Sequence, residues 1–283
     1  MVFVLYSISF LSIKNKMRFG SWLGHLAKRK LSSRANIARK NLKACFKDKS
    51  DKEIEDMVED CFVQLTTGFI EGTHAWWQDM KPHQARVKST GIEHLIEAQK
   101  KGNGVLLLGG HFAVVDFAIP LIAAQIKNLA YMYRPNNNPI INDMIEKGRA
   151  RAGVSSFTKK QLKEMKNFMA DGGVVWYGCD QDFGKKGEVF APFFGVEAIN
   201  ITTPSWIVKE TGAAVIFMGM RRLGEEEYEI EFSKELPEFG HGDEQDARCW
   251  NKELEESVSR FPTQYMWVHK RFKTRPEGEK DFY

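Results

Sequence analysis

The sequence predicts an α/β fold in which a single layered sheet is flanked by helices. From residue 91 onward, apolar runs of strand length alternate with amphipathic segments of helical length. Such alternation is typical of helices packed on a mostly parallel sheet. The 283 residues, 43% hydrophobic and 28% charged, are enough to bury one full core, and the composition is not that of a disordered or multispanning chain.

The predicted elements follow one another in a regular order. They are helix 91–100, strand 105–109, helix 112–127, strand 129–134, helix 139–152, helix 159–170, strand 173–178, helix 203–211, strand 213–221, a polar strand near 228–232 and a helix near 246–260. Before them, Ser50 and Glu53 have the spacing of a capping box, which predicts a helix start. We therefore divide the chain into an N-terminal region, residues 1–49, and a domain comprising residues 50–283.

The N-terminal region is both apolar and basic. Residues 2–13 are apolar, but a helix that spans a bilayer needs about 20 such residues. Residues 1–50 hold twelve lysines and arginines against one acidic residue, Asp48, a block that attracts nucleic acid, anionic lipid or another acidic partner. A first core helix and a secretory signal are alternatives, although no basic segment precedes the apolar run and no small-residue cleavage site follows it. The combination favours an interfacial membrane anchor.

Several classes of site lack their motifs. The four cysteines, at positions 45, 61, 179 and 249, are far apart and form no C-x-x-C, so we expect neither a zinc site nor a disulfide framework and favour a reducing cytoplasmic setting. Gly102-x-Gly104 precedes a strand and does not follow one, and there is no Walker sequence. We therefore expect no nucleotide cofactor.

His111 is the first candidate for catalysis. It follows the apolar run 105–108 and two glycines, and therefore lies between a strand end and a helix start, where α/β proteins usually bind ligands. Asp116, five residues later, is placed to return to the imidazole and fix its tautomer, and the pair would form a general base. A capping or packing histidine is the alternative, because a lone His-x4-Asp is a weak motif.

Other candidates are charged residues near strand ends and at the C-terminus. Arg134 ends a predicted strand, and Arg149 is the first choice for holding an anionic acceptor or ordering the active-site loop, with a plain surface arginine as the alternative. Asp180 and Asp182 follow another strand, and we interpret them as supporting or acceptor-positioning groups, since no metal-ligand spacing is evident. The run that contains Lys270 and Arg271 interleaves basic and aromatic residues. No nucleic-acid fold motif accompanies it, so a phosphorylated glycolipid head group is preferred.

Five stretches together resemble a known family. They are His111-x4-Asp116; residues 133–139 (YRPNNNP) with Gly148-Arg149; Asp180-Gln181-Asp182 leading to residues 189–195 (VFAPFFG); Thr202-Thr203; and residues 264–267 (QYMW) through 270–278 (KRFKTRPEG). In this order and spacing, over roughly residues 34–278, the chain resembles the late lipid A biosynthesis acyltransferases, the lauroyl/myristoyl type that depends on acyl carrier protein. These belong to the glycerolipid acyltransferase-like group with a His-x4-Asp motif.

The resemblance implies a fold, a reaction and a location. It implies a glycerol-3-phosphate acyltransferase-like fold for residues 50–283 and transfer of a fatty acyl group from acyl carrier protein to a hydroxyl of a lipid A precursor. It also implies the cytoplasmic face of the inner membrane, with membrane lipid as a partner, and neither a metal nor a nucleic acid. His111 would be the general base, with Asp116 orienting it and backbone N–H groups around Gly109, Gly110 or the helix start binding the oxyanion. Residues 191–194 would line the acyl slot, or else pack in the core.

Two other functions remain open. A glycerophospholipid or lysophospholipid acyltransferase would use the same chemistry on another acceptor, although the stretches at 134–136 and 270–278 resemble the lipid A branch. A non-catalytic protein that binds a membrane surface or nucleic acid would need the basic N-terminus but not His111.

Overall fold

A computed structural model describes residues 2–184 and 188–283 and confirms the α/β class. Its main sheet has seven strands in the order β1-β9-β8-β2-β5-β3-β4, and a separate two-stranded hairpin pairs β6 with β7. The strands are β1 (Val87–Thr90), β2 (Val105–Gly109), β3 (Leu129–Tyr133), β4 (Ser155–Thr158), β5 (Val174–Gly178), β6 (Glu188–Phe193), β7 (Val196–Ile201), β8 (Ala214–Gly224) and β9 (Glu227–Phe232).

The main sheet is parallel except where β9 runs antiparallel to β8. Every residue of β2 is buried, and β2 lies between β8 and β5 at the centre of the sheet. Strands covered by helices on both faces are apolar along their whole length, which is why residues 105–108 read as one hydrophobic run.

Helices flank the sheet and make up the N-terminal region. They are α1 (Val2–Ser9), α2 (Ile13–Lys30), α3 (Ser32–Cys45), α4 (Asp51–Trp77), α5 (Ile92–Lys100), α6 (Val115–Ile122), α7 (Pro139–Arg151), α8 (Leu162–Ala170), α9 (Thr203–Thr211) and α10 (Asp243–Arg260). The capping box of α4 is present, with the Ser50 and Glu53 side chains each accepting from the other's backbone N–H. The predicted boundary between residues 49 and 50 falls in the loop between α3 and α4.

The N-terminal helices pack closely on α4. A Cβ atom at Gly20 would lie 2.5 Å from the Cα of Thr67, and one at Gly24 would lie 2.5 Å from the Cα of Val63. The two glycines, one helical turn apart on α2, therefore let the two backbones approach each other directly. Ile13 is buried in the same hydrophobic core as the sheet. No helix within the described ranges is long and apolar enough to cross a membrane.

Some predicted bounds were wrong. The helix predicted at 112–127 is only α6, since Phe112 forms a β-bridge with Tyr265 and the Ala113 N–H donates to the Gln264 carbonyl, and both contacts hold this segment out of helical geometry. Strands β1, β4, β6 and β7 were missed. In β1 and β4 the runs are only four residues long and partly exposed, so their hydrophobic pattern is weak.

Candidate active site

Strand register places His111 beside Asp180. Gly109, the last residue of β2, pairs with Gly178, the last residue of β5, and each candidate residue follows two positions later. Because the two strands are parallel, both chains leave the sheet at the same carboxyl edge, where the crevice of an open α/β sheet forms. The position predicted for His111, between a strand end and a helix start, is confirmed.

Two hydrogen bonds join the pair. The His111 backbone N–H donates to Oδ2 of Asp180 over 2.9 Å, and His111 Nδ1 is bonded to Oδ1 of the same carboxylate. A carboxylate only accepts, so Nδ1 carries the proton and Nε2 has the free lone pair. Nε2 has no hydrogen-bond partner among residues 2–184 and 188–283, and the His111 side chain is 29% exposed while that of Asp180 is 2% exposed. The ring therefore presents a basic nitrogen to the crevice.

The electrostatics of the pair favour an ionised carboxylate. Burial by itself would lower the pKa of His111, but the charge and hydrogen bond of Asp180, with a further contribution from Asp116, raise this pKa above its ordinary value of 6.5. Burial would raise the pKa of Asp180, but His111 and, more weakly, Arg271 hold that pKa well below its usual range. A negative charge thus lies permanently beside the imidazole and stabilises its protonated form.

Asp116 does not occupy the position predicted for it. Its Oδ1 accepts from Nη2 of Arg149 over 3.2 Å, while the hydrogen bond to the His111 ring comes from Asp180. The prediction that Asp116 orients the imidazole by hydrogen bonding was therefore wrong. The reason is tertiary: β2 and β5 are adjacent, so the residue that reaches Nδ1 is 69 positions away in the chain rather than five.

Arg149 is ordered by aromatic rings as well as by Asp116. Its guanidinium lies 4.1 Å from the Tyr131 ring centroid and 5.5 Å from that of Tyr133, and its side chain is 14% exposed. Gly148 lets α7 approach α4, since a Cβ there would lie 2.7 Å from the Cα of Trp76. Arg149 is therefore not the plain surface arginine of the alternative interpretation. Its contacts fix Asp116 beside His111.

The loop that carries His111 is hydrogen-bonded to a segment near the C-terminus. The Met266 N–H donates to the His111 carbonyl over 3.1 Å, and the Ala113 N–H donates to the Gln264 carbonyl over 2.8 Å. The Gln264 side chain in turn exchanges two hydrogen bonds, of 2.8 and 2.7 Å, with the backbone of Arg222. Gln264 lies in a stretch singled out for the family resemblance, but its role in holding this loop was not predicted.

A buried ion pair anchors that network. Arg222 Nε donates to Glu71 over 3.1 Å, the Tyr228 hydroxyl donates to the same carboxylate over 2.7 Å, and the Glu71 side chain is fully buried. The sequence did not point to Glu71 or Arg222. No local pattern signals their pairing, because 151 positions separate the two residues.

The remaining predicted residues have different surroundings. Asp182 accepts from the Thr274 backbone N–H over 2.6 Å and from its hydroxyl over 2.8 Å, and thus fixes the C-terminal segment. Arg271 is 2% exposed and donates to the Ile199 carbonyl over 2.6 Å and to the Asn200 side chain over 2.8 Å. The prediction that Arg271 binds substrate was therefore wrong, since its guanidinium is buried and is hydrogen-bonded to the β6–β7 hairpin.

Arg134 and Lys270 are exposed. Lys270 Nζ lies 5.4 Å from the Tyr283 ring centroid, whereas Arg134 follows β3 at the carboxyl edge. In the stretch 191–194, Ala191 and Phe193 are fully buried, with the Phe193 ring centroid 5.8 Å from that of Tyr265. These two side chains pack in the core, which was the alternative to lining an acyl slot. The described residues contain no group of three or more His, Cys, Asp or Glu that could hold a metal ion.

Comparison with known proteins identifies the family. A family model described as bacterial lipid A biosynthesis acyltransferase matches residues 1–274. The chain belongs to that family. This lipid A acyltransferase is 34% identical over 264 residues to the lipid A biosynthesis lauroyltransferase of Escherichia coli K12, covering 92% of this chain and 86% of that protein. It is 32% identical over 271 residues to the palmitoleoyltransferase of the same organism, with coverage of 93% and 87%.

A relative from another organism gives the same result. A lipid A biosynthesis acyltransferase of Haemophilus influenzae is 31% identical over 249 residues, covering 86% of this chain and 79% of that protein. The resemblance read from the sequence is thus confirmed, and the protein is an enzyme that acts in lipopolysaccharide biosynthesis.

Gly178 lies directly against the His111 ring. A Cβ atom at this residue would lie 2.9 Å from His111 Cε1 and 2.9 Å from the outer edge of the Trp176 indole. We expect Gly178→Ala to displace the imidazole and to lower kcat about 100-fold, because misplacing a reacting group by about 1 Å has an effect of that order. The measurement is steady-state acyl transfer.

A second glycine gives the matched control. Gly224→Ala adds the same methyl group where nothing lies within 4 Å, and we expect it to keep full activity. Equal activity of the two variants would show that the ring does not depend on Gly178. Circular dichroism and thermal unfolding of both variants separate this local effect from loss of the fold.

Proposed function

We propose that this lipid A acyltransferase moves a fatty acyl group from an acyl carrier protein thioester to a hydroxyl of a lipid A precursor, with His111 as general base. The observation that carries the proposal is the free Nε2 of an imidazole whose Nδ1 is held by a buried carboxylate. This arrangement supplies a base of fixed tautomer at the carboxyl edge of the sheet. The mostly parallel sheet flanked by helices supports the glycerol-3-phosphate acyltransferase-like fold implied by the resemblance.

The reaction balances without an acyl-enzyme. Nε2 of His111 takes the proton of the acceptor hydroxyl while the hydroxyl oxygen attacks the thioester carbonyl carbon. This attack forms the ester C–O bond and gives a tetrahedral oxyanion. Collapse breaks the C–S bond, and the imidazolium returns the proton to the departing thiolate. Asp180 stabilises the imidazolium between these two steps, as its buried negative charge supports.

The hydrogen bonds around His111 also indicate which groups are free to act on the substrate. The backbone N–H groups of His111, Phe112 and Ala113 donate to Asp180, to the Gly110 carbonyl and to the Gln264 carbonyl. They are already used, so the segment between β2 and the start of α6 is a poor oxyanion site. We propose that Arg149 orders Asp116, which adds negative charge near His111 and faces the acceptor, since the Asp116 side chain is 31% exposed.

We further propose that the enzyme lies on the cytoplasmic face of the inner membrane through α1, α2 and α4. The exposed fractions of Phe3 (79%), Phe10 (62%) and Trp22 (59%) support this, as does the basic N-terminal block. On α4, Phe69 is 51% exposed and lies within one turn of Gly72, whose missing Cβ would be 3.4 Å from the Cβ of Asp116. An apolar surface thus adjoins the site where a lipid hydroxyl must arrive.

Vesicle flotation tests the membrane proposal. The protein should float with vesicles that contain phosphatidylglycerol, and the triple variant Phe3→Ser/Phe10→Ser/Trp22→Ser should stay with the soluble fraction. Unchanged flotation of that variant would contradict an interfacial α1–α2 surface.

A transfer assay tests the reaction. Purified protein, radiolabelled tetra-acylated lipid A precursor with its inner-core sugars and a panel of acyl carrier protein thioesters should give a heavier lipid product. The relatives named lauroyltransferase and palmitoleoyltransferase make donors of 12 and 16 carbons the first to compare. Acylation of a lysophospholipid in preference to the lipid A precursor would contradict the proposed acceptor.

A further inference from the structure

The two sides of the carboxyl edge differ in unpaired charge. On the β8–β9 side, Glu225 and Glu226 of the connecting turn form ion pairs with Lys14 and Arg86. On the other side, Arg134 follows β3, and Lys159 and Lys160 follow β4. These outer strands are parallel to β5, so their ends emerge at the same edge as His111.

The basic side is not neutralised within the protein. Arg134, Lys159, Lys160 and Lys163 are all exposed, and none forms an ion pair with any residue in the described ranges. Neighbouring lysines differ: Lys147 pairs with Asp143 over 2.9 Å, and Lys166 pairs with Glu210 over 2.7 Å. The segment 155–166 holds four lysines and a single acidic residue, Glu164. Its positive charge therefore faces solvent and attracts an acidic partner.

This basic surface lies beside the catalytic histidine and not on it. The strand order places β5 and β3 between β2 and β4, which gives about 14 Å at roughly 4.8 Å per strand. An extended arm of about that length, carrying the reacting group, would let a partner centred on this surface reach His111.

We propose that Arg134, Lys159, Lys160 and Lys163, the β4 basic surface, dock the acidic acyl carrier protein that delivers the acyl thioester. This inference rests on the proposed donor and adds the place where it binds. Acyl carrier protein combines the two required features, a negatively charged surface and a thioester at the end of an extended pantetheine arm.

The N-terminal helices support this arrangement. Lys14, at the start of α2, pairs with Glu225 over 3.0 Å, so the proposed membrane surface adjoins the β8–β9 turn. The β4 basic surface is then on the side away from the proposed membrane surface, where a soluble partner could bind. Lipid acceptor and protein donor would then reach His111 from different directions.

Charge reversal tests the docking surface. For Lys159→Glu/Lys160→Glu we expect kcat/KM with acyl carrier protein thioester at low salt to fall on the order of 10-fold, and the salt dependence to weaken, because surface charge acts on association. Turnover with acyl-pantetheine, which lacks the protein, should not change. Labelled acyl carrier protein gives a direct affinity comparison by fluorescence anisotropy.

The matched control reverses two lysines at the opposite edge. Lys100 ends α5 just before β2, and Lys127 precedes β3; both are exposed and form no ion pair within the described part of the chain. Lys100→Glu/Lys127→Glu makes the same change in net charge and should keep full activity with both donors.

Four outcomes would overturn the proposed docking surface. An unchanged affinity and kcat/KM in the Lys159/Lys160 variant, or an equal loss in the control variant, overturns the docking surface. Neither result contradicts acyl carrier protein as the donor. A loss of vesicle binding without a loss of donor affinity assigns these lysines to the membrane and also overturns it. If the wild-type enzyme uses acyl-pantetheine but not the acyl carrier protein thioester, the proposed donor itself is wrong and the docking inference fails with it.

Discussion

Replacing His111 by asparagine is expected to lower the rate of acyl transfer by about 10²–10⁴-fold while the fold persists. Asparagine keeps an N–H donor near the position of Nδ1, so it satisfies the buried Asp180 carboxylate, but it has no basic nitrogen in place of Nε2. General-base catalysis contributes a factor of this size, and its loss should reach kcat as well as kcat/KM.

The alanine variant separates catalysis from stability. His111→Ala should lose the same activity and also about 1–3 kcal/mol of unfolding free energy, because Asp180 is 2% exposed and would lose one of its partners. Urea unfolding of both variants measures the difference. Retained turnover in purified, metal-free His111→Asn would refute the general-base role, whatever the stability of the alanine variant.

Asp180→Asn is expected to cause a loss on the order of 10⁴-fold in kcat at neutral pH, by analogy with an asparagine at the orienting position of a catalytic triad. One carboxylate oxygen would become an amide NH₂, so the variant side chain cannot use one oxygen each for the His111 backbone N–H and the Nδ1–H. The ring loses its fixed tautomer and the charge that stabilises the imidazolium.

The pH profile provides a second signature of the same change. A base acts when deprotonated, and the pKa of His111 is raised, so kcat/KM of the wild-type enzyme should rise with pH through a midpoint above 6.5. In Asp180→Asn the negative charge is gone while burial still disfavours the charged imidazole, and the midpoint should move to lower pH. A midpoint that does not move would show that Asp180 is not the partner of the titrating group.

Asp116→Asn is the matched comparison. Asp116 makes no hydrogen bond to the ring and acts on the pKa of His111 through charge, so we expect a smaller loss of kcat and a smaller shift of the midpoint than in Asp180→Asn. A loss in Asp116→Asn equal to or above that in Asp180→Asn would restore Asp116 as the group that orients the imidazole.

The sequence determined the features that depend on near neighbours in the chain. The apolar run before Gly109 specified a buried strand, Ser50 and Glu53 specified the start of α4, and the glycines before His111 placed it at a strand end. Each follows from backbone hydrogen bonding, periodicity or turn chemistry within a few residues. The ordered set of weak motifs also identified the family correctly.

Tertiary structure decided which charged groups meet. The sequence paired His111 with Asp116, but β2 and β5 are adjacent in the sheet and bring Asp180 to the ring. Arg271 looked like part of a basic surface and is buried, because β6 and β7 offer carbonyl and amide oxygens to its guanidinium. Strand order and register arise from the summed packing of the whole chain, so a local pattern shows that a residue lies at a strand end but not which residue lies opposite it.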